Sequence, residues 1–313
     1  MSGSNSPRIA VLTVNPGIDR TMYFDHPLER GEVNRASSTN LNQGCKGANA
    51  VIIMKRQGAD VTYFTFSGGP FGALYESFLA DAGVPTVCVN TACGVRLNVK
   101  LCDGEGTFTE CNQSGGPVTA KEQEAMLAVL RNAQYDCLYL AGSLPRGLST
   151  DFYATCTALA HEKGATVVAD CDGAVLAETL KASPDLVKPN RSEFETLIGT
   201  DGTLTQKIEI FKQRYPNTTL LLSLGKDGAV LVSDTAQWHA HALPVPVRGT
   251  VAAGDTLLAS FTVARQHGKD VKEALAIATA ASAAKIQLHG TNLPTAAQMA
   301  ECKDEVVVAE FKE

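Results

Sequence analysis

Hydrophobic residues follow two rhythms along this chain. RIAVLTV (8–14) is an unbroken apolar run, the mark of a strand buried on both faces. Similar runs recur at CLYLAG (137–142), ATVVADC (165–171) and TLLLSLG (219–225). Helical patterns lie between them. GANAVIIMKRQG (47–58) stops at Gly58 and GALYESFLADAG (72–83) at Gly83, while TDFYATCTALAHEKG (150–164) opens on Thr-Asp and stops at Gly164. Strands alternating with helices of this length predict βαβ units and a parallel sheet covered by helices. TMYFDHPLERGEVNRASSTN (21–40) and GVRLNVKLCDGEGTFTECNQ (94–113) break the rhythm. The second alternates polar and apolar positions around Asp-Gly-Glu-Gly, a hairpin signal. Both are expected to form one small β-lid over the C-terminal edge of the sheet, where α/β ligand sites lie. Plain surface hairpins are the alternative.

Composition narrows the class. A chain of 313 residues with 44% hydrophobic positions can bury one large core, so a single α/β domain over 8–313 with the lid as appendage is expected. A net charge of −6 and no basic run give no electrostatic case for nucleic acid or a membrane surface. No apolar stretch reaches transmembrane length. The polar start MSGSNSPR reads as a loose tail rather than a signal peptide. Nine scattered cysteines without a CxxC pair read as reduced, buried small residues of a cytoplasmic protein. There is neither a G-x-x-x-x-G-K-[ST] loop nor a G-x-G-x-x-G after the first strand, so a P-loop or dinucleotide fold is not expected.

The chemistry gathers at turns that open helices. In GTVAAGDTLLASFTVA, from Gly249, the residues Ala252-Ala253-Gly254 let a ligand approach the unpaired amides of a helix N-terminus, an anion site. Asp255 there reads either as a helix cap or as a general base beside a backbone anion hole. NQGCKGAN (42–49) sets Lys46 between Gly44 and Gly47, either as a solvated lysine in a tight loop or as an ammonium aimed, with Asn49, at a sugar phosphate. Asp19 follows the first strand, where a carboxylate can accept bonds from sugar hydroxyls. Arg96 and Asn98 share a face at period two. LVKPNRSEFETL (186–197) places Lys188 and Asn190 after a strand and Glu193 in the first helical turn, and SLGKDGAV (223–230) is a strand–glycine turn–strand open to nucleotide phosphates. His239 and His241 lack a third metal ligand. Asp170 and Asp172 read more as strand-end residues than as a second acidic site. The small residues of the helix over 271–287 read as close packing near the nucleotide.

The ordered set NPxxD, Gly-Cys-Lys-Gly with Asn49, GSLPRG (142–147), VKPNRSE, SLGKDG and the Gly-Asp helix resembles the PfkB or ribokinase-like carbohydrate kinases, over roughly residues 8 to 300, and more narrowly their 1-phosphofructokinase and tagatose-6-phosphate kinase branch. The resemblance implies a ribokinase-like three-layer sandwich with a mostly parallel central sheet and a small β-sheet lid. It implies ATP and Mg2+ as cofactors and a sugar phosphate as acceptor, with D-fructose 1-phosphate ahead of tagatose 6-phosphate, an unphosphorylated sugar, or a non-catalytic sensor. Asp255 would be the base, and Ala252, Ala253 and Gly254 the anion hole. Asp19, Asn49 and Asn98, with the turn of Gly44 and Gly47, would orient the sugar, and Lys46 with Arg96 would clamp its phosphate. Lys188, Asn190, Ser223, Gly225, Gly228 and Ser143 would hold ATP, and Glu193 with Asn190 magnesium through water. Exposed lid edges favour a homodimer through the lid. Two positions depart from the family pattern: Ala252 replaces a glycine, and Cys45 replaces the second glycine before the lysine.

Overall fold

The computed structural model describes residues 6–312; most of the polar tail expected at the start, residues 1–5, lies outside them. In chain order the strands are β1 (Arg8–Thr13), β2 (Gly17–Tyr23), β3 (Ser38–Gly44), β4 (Asp60–Ser67), β5 (Thr86–Asn90), β6 (Arg96–Cys102), β7 (Phe108–Cys111), β8 (Cys137–Ala141), β9 (Thr166–Asp170), β10 (Leu186–Val187), β11 (Thr219–Ser223), β12 (Ala229–Val232), β13 (Gln237–Ala240) and β14 (Val308–Glu310). The helices are α1 (Lys46–Arg56), α2 (Gly72–Asp81), α3 (Ala120–Asn132), α4 (Phe152–Glu162), α5 (Gly173–Lys181), α6 (Arg191–Ile198), α7 (Leu204–Arg214), α8 (Ala253–Gln266), α9 (Val271–Ile286) and α10 (Ala296–Glu301).

Ten strands form one sheet in the order β14-β13-β12-β11-β10-β9-β8-β1-β4-β5. Pairing is parallel from β5 through β11 and antiparallel across β12, β13 and β14. β1 shows why the parallel strands read as unbroken apolar runs. Ile9 and Val11 enter the core beneath α1, α2, α8 and α9, while Ala10 and Leu12 enter the core beneath α3 to α7. Both faces are covered, so neither parity of the strand is free to be polar. The result is the expected three-layer sandwich. Its motif residues gather at one edge, since Asn15 follows β1, Asp170 ends β9, Lys188 follows β10 and Ser223 ends β11.

The two excursions do join, into a four-stranded sheet ordered β3-β2-β6-β7, with β2 and β6 parallel at its centre. The first pair of strands spans 17–44, wider than the expected 21–40, and the second spans 96–111, inside the expected 94–113. The first excursion is not a tight hairpin, because its strands are separated by residues 24–37. The second is: Asp103 Oδ1 accepts from the amides of Glu105 and Thr107, and Gly106 takes φ +80°. Asp19 is correspondingly not at the end of β1 but inside β2, opposite Asn98 of β6. The cysteines are all unpaired, but Cys88 and Cys111 are exposed, against the expectation that they would be buried. Among the described residues no helix is long and apolar enough to cross a membrane.

Candidate active site

The helix that opens on the Gly-Asp motif is α8. Its N-cap, Ala252, sits at φ 64°, the left-handed region that glycine occupies at little cost, so the methyl group is carried at a penalty of roughly 1 kcal/mol. Gly254 has a different reason. A Cβ there would come within 3.2 Å of the Lys188 ammonium, so the missing side chain lets Lys188 lie over the helix N-terminus. Asp255 does not cap α8; no side-chain cap bond is present. Its carboxylate is buried and accepts a 2.8 Å hydrogen bond from Asn49 Nδ2, reaching across from α1. Burial raises the Asp255 carboxyl to about 6, and the charge of Asp170 adds to the rise. The Asn49 bond, Lys46 and Lys188 oppose it.

Asp170 is the residue that sequence reasoning passed over. Its side chain is fully buried at the end of β9, with Lys46 Nζ at 2.9 Å and Lys188 Nζ at 3.5 Å. Burial alone would raise its carboxyl, but the two ammonium groups, Lys188 first, hold it below the usual range. Lys46 also lies 3.9 Å from Glu193. Burial disfavours its charge, yet Asp170, Glu193 and Asp255 together raise its proton affinity. Lys46, expected to share the acceptor's phosphate with Arg96, pairs with Asp170 at the sheet edge, while Arg96 stands in β6 opposite Gly17, which on its other side pairs with Gly44 of the Lys46 turn. The signal for Asp170 was its place at the end of an apolar strand-length run, but no spacing says which strand-end acid meets two lysines.

The Gly44–Gly47 turn explains itself by contact. A Cβ on Gly44 would lie 2.2 Å from Asp19 Oδ1, and one on Gly47 1.8 Å from Thr13 Oγ1. Cys45 between them holds φ 94°, where glycine is usual, with its thiol 3.4 Å from the Tyr75 hydroxyl and 3.7 Å from that of Tyr63.

In the small sheet, Asp19 accepts 2.9 Å from Asn98 Nδ2 and forms a 2.7 Å ion pair with Lys100, another residue the sequence reading missed although it stands at period two from Asn98. Arg96 donates from Nη1 to the Gln113 carbonyl at 2.8 Å. Arg96 Nε, Asn98 Oδ1 and Asn49 Oδ1 are buried and without a hydrogen-bond partner. Buried polar atoms are nearly always paired, so three orphans around Asp19 and Asp255 mark where a polar acceptor molecule would complete the network.

On the opposite side, Asn190 and Glu193 form a capping box for α6, which accounts for their spacing on structural grounds alone. Only one Glu193 oxygen is engaged in it. Among the described residues no cluster of three His, Cys, Asp or Glu could hold a metal ion. The other Glu193 oxygen is a hard donor of the kind that magnesium takes alongside water and phosphate oxygens. Ser223 bridges to Asn190 across the sheet edge, and Gly225, at φ +61°, has open space where a side chain would be. Gly228 has a packing reason, because a Cβ there would lie 2.0 Å from the Ala240 carbonyl oxygen. Ser143 is exposed and accepts from Asn15 Nδ2 at 3.1 Å. The rings of His239 and His241 pack at a 52° tilt with centroids 4.2 Å apart, and His239 Nε2 bonds the Asp227 carbonyl.

The pattern of the pfkB family carbohydrate kinases matches residues 13–298. The chain is 32% identical to the 1-phosphofructokinase of Haloferax volcanii, covering 91% of this chain and 93% of that protein. It is 30% identical to the 1-phosphofructokinase of Rhodobacter capsulatus, covering 96% and 97%. Phosphofructokinase-2 from Escherichia coli superposes with a TM-score of 0.89 at 22% identity, covering 96% of this chain and 99% of that one. A tetrameric inhibited form of the same protein superposes at 0.87.

Proposed function

The chain belongs to the pfkB family of carbohydrate kinases, and from that premise we propose that it transfers the γ-phosphoryl group of ATP to D-fructose 1-phosphate, giving fructose 1,6-bisphosphate. The observation that carries this reading is the Asp255 carboxylate, held by Asn49 at the N-terminus of α8, beside Lys188 and Lys46. In it, Asp255 takes the proton of the acceptor hydroxyl as that oxygen attacks phosphorus. The amides of Ala253 and Gly254 and the two ammonium groups receive the charge of the transferring group. Fructose 1-phosphate follows from the names of the two relatives at 30% identity and above.

The acceptor is oriented by Asp19, Asn98 and Asn49, and its own phosphate is held by Arg96, whose planar fork suits that group. Lys46 acts on the transferring phosphoryl and not on the acceptor's phosphate. ATP lies along Lys188, Asn190, Ser223 and Gly225, with Ser143 at its margin. Magnesium neutralises phosphate charge when bound, and Glu193 with Asn190 would hold it through water. The small sheet is the lid over this site. Its outer strands, β3 and β7, are largely exposed, with Leu41 and Phe108 uncovered, which supports a homodimer through the lid. Nine unpaired cysteines fit a reducing compartment, so we assign the protein to the cytoplasm.

A coupled kinase assay with fructose 1-phosphate, tagatose 6-phosphate and fructose 6-phosphate tests the reading. Fructose 1-phosphate is expected to give the highest kcat/KM. A tenfold or greater preference for tagatose 6-phosphate overturns the substrate and leaves the site roles standing; no turnover with any sugar phosphate overturns the acceptor class.

A further inference from the structure

Lys285, at the C-terminal end of α9, has no exposed surface at all. The other buried lysines sit in ion pairs: Lys100 with Asp19, Lys188 with Asp170, Lys207 with Glu195. Lys285 forms no ion pair among the described residues. It gives one hydrogen bond, to the carbonyl of Gly290 at 3.1 Å. An unpaired buried ammonium is among the most expensive things a fold can contain. The residues before it on α9 are small: Ala281, Ser282, Ala283 and Ala284.

Its surroundings are specific. The turn that it holds, residues 288–292, touches both halves of the site. Asn42 of β3 donates to Thr291 Oγ1 at 2.7 Å, and a Cβ on Gly290 would come within 2.9 Å of the Tyr23 hydroxyl of β2. The loop that leads into α8 docks on the same segment, with the amides of Arg248 and Gly249 bonded to Ile286 O at 2.7 and 3.2 Å. The charges that reach the Lys285 ammonium are Asp255 of α8 and Lys100 of β6, the latter tied to Asp19 of β2. Glu273 and Lys303 pair with each other at the far end of α9.

We propose that Lys285 is a positioning residue for phosphoryl transfer: it braces the 288–292 turn between the small sheet and the loop ahead of α8, and it supplies a fixed positive charge beside Asp255 that is matched when an anionic phosphoryl group reaches the helix N-terminus. The proposal rests on the reading of Asp255 as base and of that N-terminus as anion hole. Burial lowers the Lys285 ammonium to about 8, with Asp255 opposing the fall and Lys100 adding to it. It is therefore charged at neutral pH and loses the charge as pH rises through that value.

Lys285→Met and Lys285→Gln test this, with pH profiles of kcat from pH 5 to 10 and melting curves. Glutamine retains a donor for Gly290 and methionine does not, while both remove the charge. Both variants are expected to melt no lower than the parent at pH 7, since a charge whose folded proton affinity lies below its unfolded one costs stability until it is neutralised. Each should lose about tenfold in kcat at pH 7, the usual scale for a group acting through another, with both KM values within twofold. The parent's fall in kcat above pH 8 should vanish, and the acid limb should move to higher pH because Asp255 has lost a nearby cation. Parent-like kcat and pH profiles in both variants overturn the proposal, as does a lower melting temperature with unchanged kcat. A parent-like Lys285→Gln overturns the electrostatic half. Asp255→Asn run in parallel separates the two readings. If it turns over, the base assignment fails; if it is inactive while both Lys285 variants behave as the parent, only the present inference fails.

Discussion

At Asp255, burial and the neighbouring charge of Asp170 lift the carboxyl from an ordinary 3.8 to about 6. The sign of the consequence is opposite to that of a salt-bridged acid. The folded state resists the ionised form, so above pH 6 the group opposes folding by about 3 kcal/mol, from roughly two pKa units at 1.36 each. That cost fades as pH falls toward 3.8 and the unfolded chain becomes protonated too. Asp255→Asn is accordingly expected to unfold at a higher temperature at pH 7 while losing about 10²- to 10⁴-fold in kcat, the scale of a general base. In the parent enzyme kcat should fall as pH drops through about 6. A variant with near-normal kcat, or a flat acid limb, would contradict the base role. Asp255 itself was legible in the sequence, because the Ala-Ala-Gly-Asp turn before an apolar helix is visible in one line. Its raised proton affinity was not, because it comes from burial and from Asp170, which is far away in the chain.

Two lysine–arginine roles separate at the level of elements. Lys46 opens α1, and the flanking glycines let the turn press against Asp19 and Thr13, which aims the ammonium across the sheet edge to Asp170. Arg96 opens β6 in the small sheet. Arg96→Met is therefore expected to raise KM for the sugar phosphate about ten- to a hundredfold with ATP little affected, the cost of a charged hydrogen-bond partner. Lys46→Met should instead lower kcat and leave the sugar-phosphate KM within twofold. Steady-state kinetics with each substrate varied in turn distinguishes the two, and a matched rise in sugar KM for both variants would restore the shared clamp. The hairpin signal at Asp103–Gly106 was local and readable. The pairing of β2 with β6 joins residues almost eighty positions apart, and alternation within either strand does not specify it.

For the whole molecule, the small sheet joins the rest of the fold through its β1–β2, β3–α1, β5–β6 and β7–α3 connections, and the Asn42–Thr291 bond ties it to the turn after α9. Closure over a bound acceptor would exclude water that could otherwise take the phosphoryl group. Amide exchange in residues 17–44 and 96–111 should slow when fructose 1-phosphate is added, while the β1–β8–β9 core remains unchanged; equal exchange with and without the sugar phosphate would make the small sheet a static ornament. By itself the sequence determined the three-layer class, because apolar runs of strand length and helices with glycine stops are local consequences of covering both faces of a parallel sheet. It also determined the glycine-bracketed turns, since close approach demands small residues wherever the partner lies. Tertiary structure alone decided that Lys46 meets Asp170, that Lys100 neutralises Asp19, and that Lys285 stays buried without a carboxylate. Charge pairing depends on distances across space, and burial sets how strongly each pair is felt, and neither quantity is carried by spacing along the chain.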